Sequence, residues 1–153
     1  MNIQPTIKPK LLAKCFEYVE QRIDTSKQAM KYAQDSANTE EKSSAGDKYE
    51  TGRAMAQIER DKAAHLLEEA LKLKSILSQI NPEFKNSKVN LGSLVITKSI
   101  RFYMAISVGK ITIDGTDYLI VATASPIGQL LLNLKVGDQF TFNKQQHFIE
   151  EIY

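Results

Sequence analysis

Two carboxylates able to bind a metal ion stand near the middle of the chain, in the polar stretch EEKSSAGDKYET at residues 40–51. Asp47 and Glu50 are three residues apart, so at the beginning of a helix both project on one face. Their oxygens are then able to share a hard divalent cation. A simpler role also fits, because Ser44 and Asp47 match a capping box, and acids in a first helical turn are stabilised by unpaired backbone N–H groups. The residues alone leave both roles open.

The elements that must position these acids are two long helices. Residues that are apolar or small, with the exception of Glu59, recur on both sides of the stretch at alternating steps of four and three, which is the spacing of a coiled-coil seam. One antiparallel register satisfies all the pairs, whose residue numbers each add to 89: Leu12 with Leu77, Phe16 with Leu73, Val19 with Ala70, Ile23 with Leu66, Ser26 with Ala63, Met30 with Glu59, Ala33 with Ala56, and Ala37 with Gly52. The pattern predicts an intramolecular hairpin that folds back between Ser44 and Ala45. Arms of about 30 residues place the acids roughly 45 Å from the base.

The second half of the chain changes to a period of two. Phe102, Met104, Ile106 and Val108 share one face of a predicted half-buried strand. Other strands are predicted at 94–98, 110–113, 118–123, 139–142 and 147–152, with a hairpin turn at Asp114-Gly115. Ser125 and Pro126 are typical of the N-cap and first residue of a helix, here 127–134.

These patterns predict an α+β protein. We expect a long antiparallel coiled-coil hairpin at 1–81 with its acidic tip near 40–50, a linker at 82–88, and a small antiparallel sheet domain with one short helix at 89–153.

Composition sets further limits. The net charge of +2 is too small to indicate nucleic-acid binding. No run reaches the roughly eighteen apolar residues of a membrane span, and the first ten residues lack an apolar signal core, so a cytoplasmic protein is expected. The single Cys15 is predicted to be a small buried hydrophobe. His65 and His147 are isolated, and we expect packed or surface residues there rather than metal ligands.

Three motifs carry a resemblance to a known family. SPIGQLLLNLKVGD at 125–138, VNLGSLV at 89–95, and Gly46-Asp47 followed two residues later by Glu50 resemble the Gre-type transcript-cleavage elongation factors of bacterial RNA polymerase. The resemblance covers nearly the whole chain. It implies that the C-terminal domain has an FKBP-like fold.

The resemblance also implies a function. Such factors insert the hairpin through the secondary channel of RNA polymerase and stimulate cleavage of backtracked RNA. Asp47 and Glu50 would be the catalytic tip residues and would hold a Mg²⁺ shared with the polymerase active site, so no tightly bound metal and no stand-alone activity are expected. A monomer is expected. The polymerase would be bound through a surface formed by Ser125, Pro126, Ile127, Gln129 and Leu130.

One departure from the family keeps a second reading open. The family's tip usually continues with Asn-Ala-Glu-Tyr, whereas this chain has Thr51-Gly52-Arg53-Ala54, which loses an acid and an aromatic ring and adds a cation. A Gre-like regulator that occupies the channel without cleaving RNA is therefore the alternative. A prolyl isomerase and a chaperone-like scaffold are less favoured, because neither would need Asp47 and Glu50 at the apex.

Overall fold

A computed structural model of the chain describes residues 5–43 and 47–153, with the side chains of 40–43 and 47–49 outside that description. Two long helices precede seven short strands and one short helix. The elements are α1 Ile7–Ser43, α2 Asp47–Ser78, β1 Leu94–Ile96, β2 Arg101–Ala105, β3 Gly109–Ile113, β4 Thr116–Ala122, α3 Pro126–Leu131, β5 Gln139–Phe142, β6 Gln145–Phe148 and β7 Glu151–Ile152. The predicted α+β class, with two packed helices before a small sheet domain, is confirmed.

The chain forms two compact units. One is Glu17–Ser75, and the other combines Met1–Phe16 with Ile76–Tyr153. The first unit therefore holds only helical hairpin, and the second holds both ends of that hairpin together with all the strands. The domain boundaries inferred from the sequence stay a prediction.

The seam of the Glu17–Ser75 unit differs between its two helices. On α1 the buried residues keep the steps of four and three, at Val19, Ile23, Ser26 and, seven positions further, Ala33. On α2 they recur every seventh position and are all alanine, at Ala56, Ala63 and Ala70. An ion pair of 2.6 Å between Lys74 Nζ and Glu20 Oε1 joins the helices at the edge of the seam.

The prediction that two residues of α2 are buried in the seam is wrong. Leu66 is 53% exposed, and Glu59 is also exposed, so neither is a buried partner of Ile23 or Met30. The distance between packed helices depends on the side chains at their contact. On α2 the contact is filled by alanine methyl groups. Glu59 and Leu66, the predicted seam residues that lie between these alanines, are therefore at the margin of the interface.

The main sheet has five strands in the order β3-β4-β2-β1-β7. The predicted sheet was antiparallel, but β2 and β4 pair in parallel, with Phe102 opposite Leu119, so the sheet is mixed. Strands β5 and β6 form a separate antiparallel pair. The predicted strand at 147–152 is in fact two strands, because β7 leaves β6 and pairs with β1.

Strand β2 is buried on both faces rather than half-buried. Phe102 and Met104 belong to the core on one face of the sheet. Tyr103 and Ala105, which point the other way, are also buried. Tyr103 lies close enough to Cys15 of α1 for the two groups to affect each other's ionisation, which places the beginning of α1 over this second face.

Two tight turns have the backbone that short hairpins require. Asp114 and Gly115 have φ of 50° and 79°, and Ile113 pairs with Thr116, which confirms the predicted turn. Asn143 and Lys144 join β5 to β6 with φ of 51° and 64°. Within the described part of the chain, no helix is both long and apolar enough to cross a membrane.

Candidate functional site

The predicted catalytic residues stand where the two long helices meet. Helix α1 ends at Ser43 and α2 begins at Asp47, so three residues join them. Ser44 and Gly46, on which the predicted capping box and part of the tip motif rest, lie outside the described residues, as does the side chain of Asp47. Glu50 lies in the first turn of α2 and is exposed. The backbone thus places Asp47 and Glu50 in one helical turn.

The oxygen donors at this turn suit a hard cation. Mg²⁺ is commonly bound through one or two carboxylates, with water and substrate oxygens completing its octahedral shell. Asp47 and Glu50 match that partial set of ligands. Among the described side chains, no group of three or more His, Cys, Asp or Glu is placed to hold a metal ion. A metal role for Asp47 and Glu50 stays a prediction.

The predicted docking segment begins with a capped helix. Ser125 is the N-cap of α3, and its Oγ accepts a hydrogen bond from the Gly128 backbone N at 3.1 Å. The same hydroxyl donates to the Ala122 carbonyl oxygen at 2.6 Å, and Pro126 occupies the first helical turn, as predicted. Ser125 therefore ties the beginning of α3 to the end of β4.

The five predicted docking residues divide into two groups. Pro126, Gln129 and Leu130 are exposed, and Leu130 keeps 51% of its surface open. Gln129 Nε2 donates to the Thr123 carbonyl oxygen at 3.1 Å, which holds that side chain against the segment between β4 and α3. Ser125 and Ile127 are partly buried, and Ile127 packs against the core. The exposed group is the part of the predicted surface that a partner is able to contact.

The sequence analysis did not predict two exposed apolar residues in the unit that contains the strands. Val136 is 58% exposed and Phe148 is 54% exposed. In β6, hydrophobicity alone would bury Phe148 and expose its neighbour His147. The opposite occurs because His147 pairs with Phe140 across the strands and stacks on its ring at 5.3 Å. His147, for which the sequence left a packed and a surface position open, is thus buried.

A buried lysine was also missed. Lys8, in the first turn of α1, is only 6% exposed, and its Nζ donates to the Phe84 carbonyl oxygen at 2.6 Å. Burial lowers the pKa of Lys8. The bond attaches residues of the predicted linker to the beginning of α1. No sequence signal marked it, because an isolated lysine early in a helix is ordinarily solvated.

A scan against models of protein families and a search of curated proteins both found no match. The order of a helical hairpin followed by a small mixed sheet domain is compatible with a Gre-like fold.

Proposed function

We propose that this chain is a Gre-like transcription elongation factor that stimulates cleavage of backtracked RNA by RNA polymerase. The observation that carries the proposal is the position of Asp47 and Glu50. Both lie in the first turn of α2, directly after the three-residue junction between two long packed helices. A surface role for acids is common anywhere on a helix, but a probe that delivers carboxylates to a partner needs them at this junction.

The packing of the hairpin supports the proposal. Helix α2 has 32 residues and α1 has 37, so each helix is about 50 Å long or slightly more. Small buried side chains at Ala33 and Ala56 keep the end nearest the junction slender. A slender, rigid pair of helices suits entry into a narrow channel.

The α3 segment supports the predicted partner. Pro126, Gln129 and Leu130 are exposed on a helix whose cap and core contacts hold its backbone in place. Interfaces draw most of their binding energy from a few well-placed residues. We infer that this face of α3 contacts RNA polymerase and that an FKBP-like fold surrounds it.

The residues of the tip would do one job in this reaction. A Mg²⁺ ion shared with the polymerase would supply an activated water and stabilise the leaving oxygen of the RNA. Asp47 and Glu50 would contribute carboxylate oxygens that bind and orient this ion. Since two carboxylates make only part of a ligand shell, the free protein would hold the ion weakly and cleave nothing alone.

The proposal is tested with stalled, backtracked transcription complexes and the purified full-length protein. We expect the protein to bind the complexes and to shorten the RNA from its 3′ end at millimolar Mg²⁺. The protein incubated with RNA alone is the control and should release nothing. Absence of binding to RNA polymerase would refute the proposal as a whole.

A second candidate is a Gre-like regulator that binds the same channel without cleaving. It is favoured by Arg53, an exposed cation three residues after Glu50 on α2. A cation one turn from the acids weakens their attraction for a metal. Binding to backtracked complexes without shortening of the RNA, even at raised Mg²⁺, would select this candidate over the first.

A further inference from the structure

A pocket lies beside the beginning of α1, in the unit that contains the strands. Its volume is about 470 Å³. Three charged residues line it, Lys8, Glu83 and Lys85. The rest of its lining consists of two prolines, an isoleucine and two aromatic residues: Pro5, Ile7, Pro82, Phe84 and Tyr153. A volume of roughly 300–1,000 Å³ and a mostly apolar lining with a few polar groups are typical of sites that hold small organic ligands.

The positive charge of this pocket includes a deeply buried amine. Lys8 keeps only 6% of its surface exposed, and its Nζ donates to the Phe84 carbonyl oxygen at 2.6 Å. An ammonium group carries three N–H donors, and a carbonyl oxygen satisfies one of them without neutralising the charge. Loss of solvent lowers the pKa of Lys8, and none of the described acidic groups offsets that shift. Because buried charges in proteins are ordinarily paired, an anionic ligand would supply the partner that this ammonium lacks.

The beginning of α1 adds to the positive potential around Lys8. The helix starts at Ile7, and its first turn contains no acidic residue. Backbone N–H groups at the start of a helix carry a partial positive charge that favours anions. Glu83, the acid among the described lining residues, is exposed and does not contribute to the pKa shift of Lys8. The pocket therefore combines apolar walls with an incompletely neutralised cation.

The aromatic residues of the pocket are attached to fixed backbone. Glu83 N donates to Asn81 Oδ1 at 3.0 Å and Phe84 N donates to the Asn81 carbonyl oxygen at 3.2 Å, so the segment that carries Phe84 is held in a turn. Tyr153 and Leu94 exchange two backbone hydrogen bonds of 2.9 and 3.0 Å. Phe84 is nevertheless 61% exposed. Its ring thus offers apolar surface to a ligand without any rearrangement of the backbone.

We propose that this pocket binds a small aromatic carboxylate, whose carboxylate pairs with Lys8 Nζ while its ring packs on Phe84 and the prolines. Aromatic rings attract one another beyond the effect of the area they bury. A hydrogen bond between charged groups is roughly twice as strong as a neutral one. One buried ammonium neutralises one negative charge, and the Glu83 carboxylate repels a second, so a carboxylate suits the pocket better than a phosphate dianion. This inference goes beyond the proposed function and does not rest on it, because the ligand would bind the free protein.

The test is NMR titration of the full-length protein with cinnamate, following the backbone amide signals of Glu83 and Lys85. Cinnamamide has the same ring without the charge, and acetate has the carboxylate without the ring. Lys8→Met removes the buried charge. Lys10→Met is the matched control, because it removes a cation two residues further along α1 that pairs with Asp114 and does not line the pocket. Phe84→Ala removes an exposed ring but keeps the backbone carbonyl to which Lys8 donates.

We expect cinnamate to shift these amide signals and to bind at least about tenfold more tightly than cinnamamide or acetate. Lys8→Met and Phe84→Ala should each weaken cinnamate about tenfold, while Lys10→Met leaves its affinity within about twofold. If Lys8→Met does not fold, the comparison of cinnamate with cinnamamide and the Phe84→Ala variant still decide. Unmoved amide signals, equal binding of cinnamamide, or unchanged affinity in Phe84→Ala would overturn the proposal.

Discussion

Gly128 lies so close to Ala122 that a Cβ atom built on Gly128 would stand 2.0 Å from the Ala122 carbonyl oxygen. The same carbonyl oxygen accepts the hydrogen bond of Ser125 Oγ. A glycine at this position therefore permits the first turn of α3 to pack directly on the end of β4. The contact positions Gln129 and Leu130, on which the proposed docking surface depends.

Gly128→Ala should be severely destabilising. The added methyl group meets backbone, which cannot move aside without displacing α3, so we expect a loss of about 3 kcal/mol or more in the free energy of unfolding. Gly137→Ala is the control. Gly137 has φ of 93° with open space around it, so only backbone strain of about 1–2 kcal/mol is expected. Urea denaturation would measure both, and equal losses would contradict the close contact.

The corrected seam predicts unequal effects at two residues that the sequence treats as partners. Ile23 is 4% exposed and Leu66 is 53% exposed. Ile23→Asp buries a charge and should cost about 3 kcal/mol or more, whereas Leu66→Asp should cost less than about 1 kcal/mol. Thermal unfolding followed by circular dichroism would compare them. A loss of unfolding free energy for Leu66→Asp as large as that for Ile23→Asp would show that Leu66 is part of the seam.

How far the sequence predicts this fold depends on how local each signal is. Heptad spacing indicated both helices, and Asp114-Gly115 indicated a turn, because those signals act between near neighbours. The exposure of Leu66 escaped prediction, since it depends on how closely alanines on α2 let the helices approach. The sequence also did not predict that β2 pairs in parallel with β4 or that His147 is buried against Phe140. Each of these features depends on contacts with residues of another strand.

The sequence predicted the position of the candidate site along the hairpin, but it did not predict which side chains pack or bond elsewhere in the protein. The helix junction at Asp47 followed from the seam register, which reflects the chain about residues 44 and 45. The exposure of Leu130 beside the packed Ile127 did not follow, because it depends on how α3 lies against the core. The buried bond from Lys8 to the Phe84 carbonyl oxygen likewise joins residues with no common pattern.

The buried thiol predicts a pH dependence of stability. Burial raises the pKa of Cys15 from 9.0 to about 12. The folded protein therefore keeps a proton that the unfolded chain releases above pH 9, so stability contributed by this group is present below pH 9 and is lost as pH rises towards 12. The loss is up to about 1.4 kcal/mol per pH unit.

Cys15→Ala isolates this effect. The variant should be less stable throughout because it leaves a cavity, but the difference in unfolding free energy between wild type and variant should shrink between pH 8 and pH 10.5. Denaturant titrations at each pH under reducing conditions would measure it. If the difference stays constant over this range, ionisation of the Cys15 thiol does not change the free energy of unfolding.

The proposed docking surface predicts a binding defect without a folding defect. Leu130→Ala should weaken binding to RNA polymerase about tenfold while changing the unfolding free energy by less than about 0.5 kcal/mol, because Leu130 is half exposed. Val136→Ala removes a similarly exposed apolar side chain of the same unit and is the control. Surface plasmon resonance with immobilised polymerase would measure both. Equal binding of polymerase by Leu130→Ala and Val136→Ala would show that Leu130 of α3 is not part of the interface.

The most direct test of the central claim is RNA cleavage by Asp47→Asn and Glu50→Gln in backtracked complexes, measured across a Mg²⁺ titration. Asn still caps a helix but gives up the negative charge that a hard cation requires, so the substitution separates metal binding from capping. We predict that each variant binds polymerase within about twofold of wild type and loses at least about 100-fold in stimulated cleavage. Wild-type protein that binds these complexes and never shortens the RNA at high Mg²⁺, or variants that cleave as well as wild type, would contradict the account.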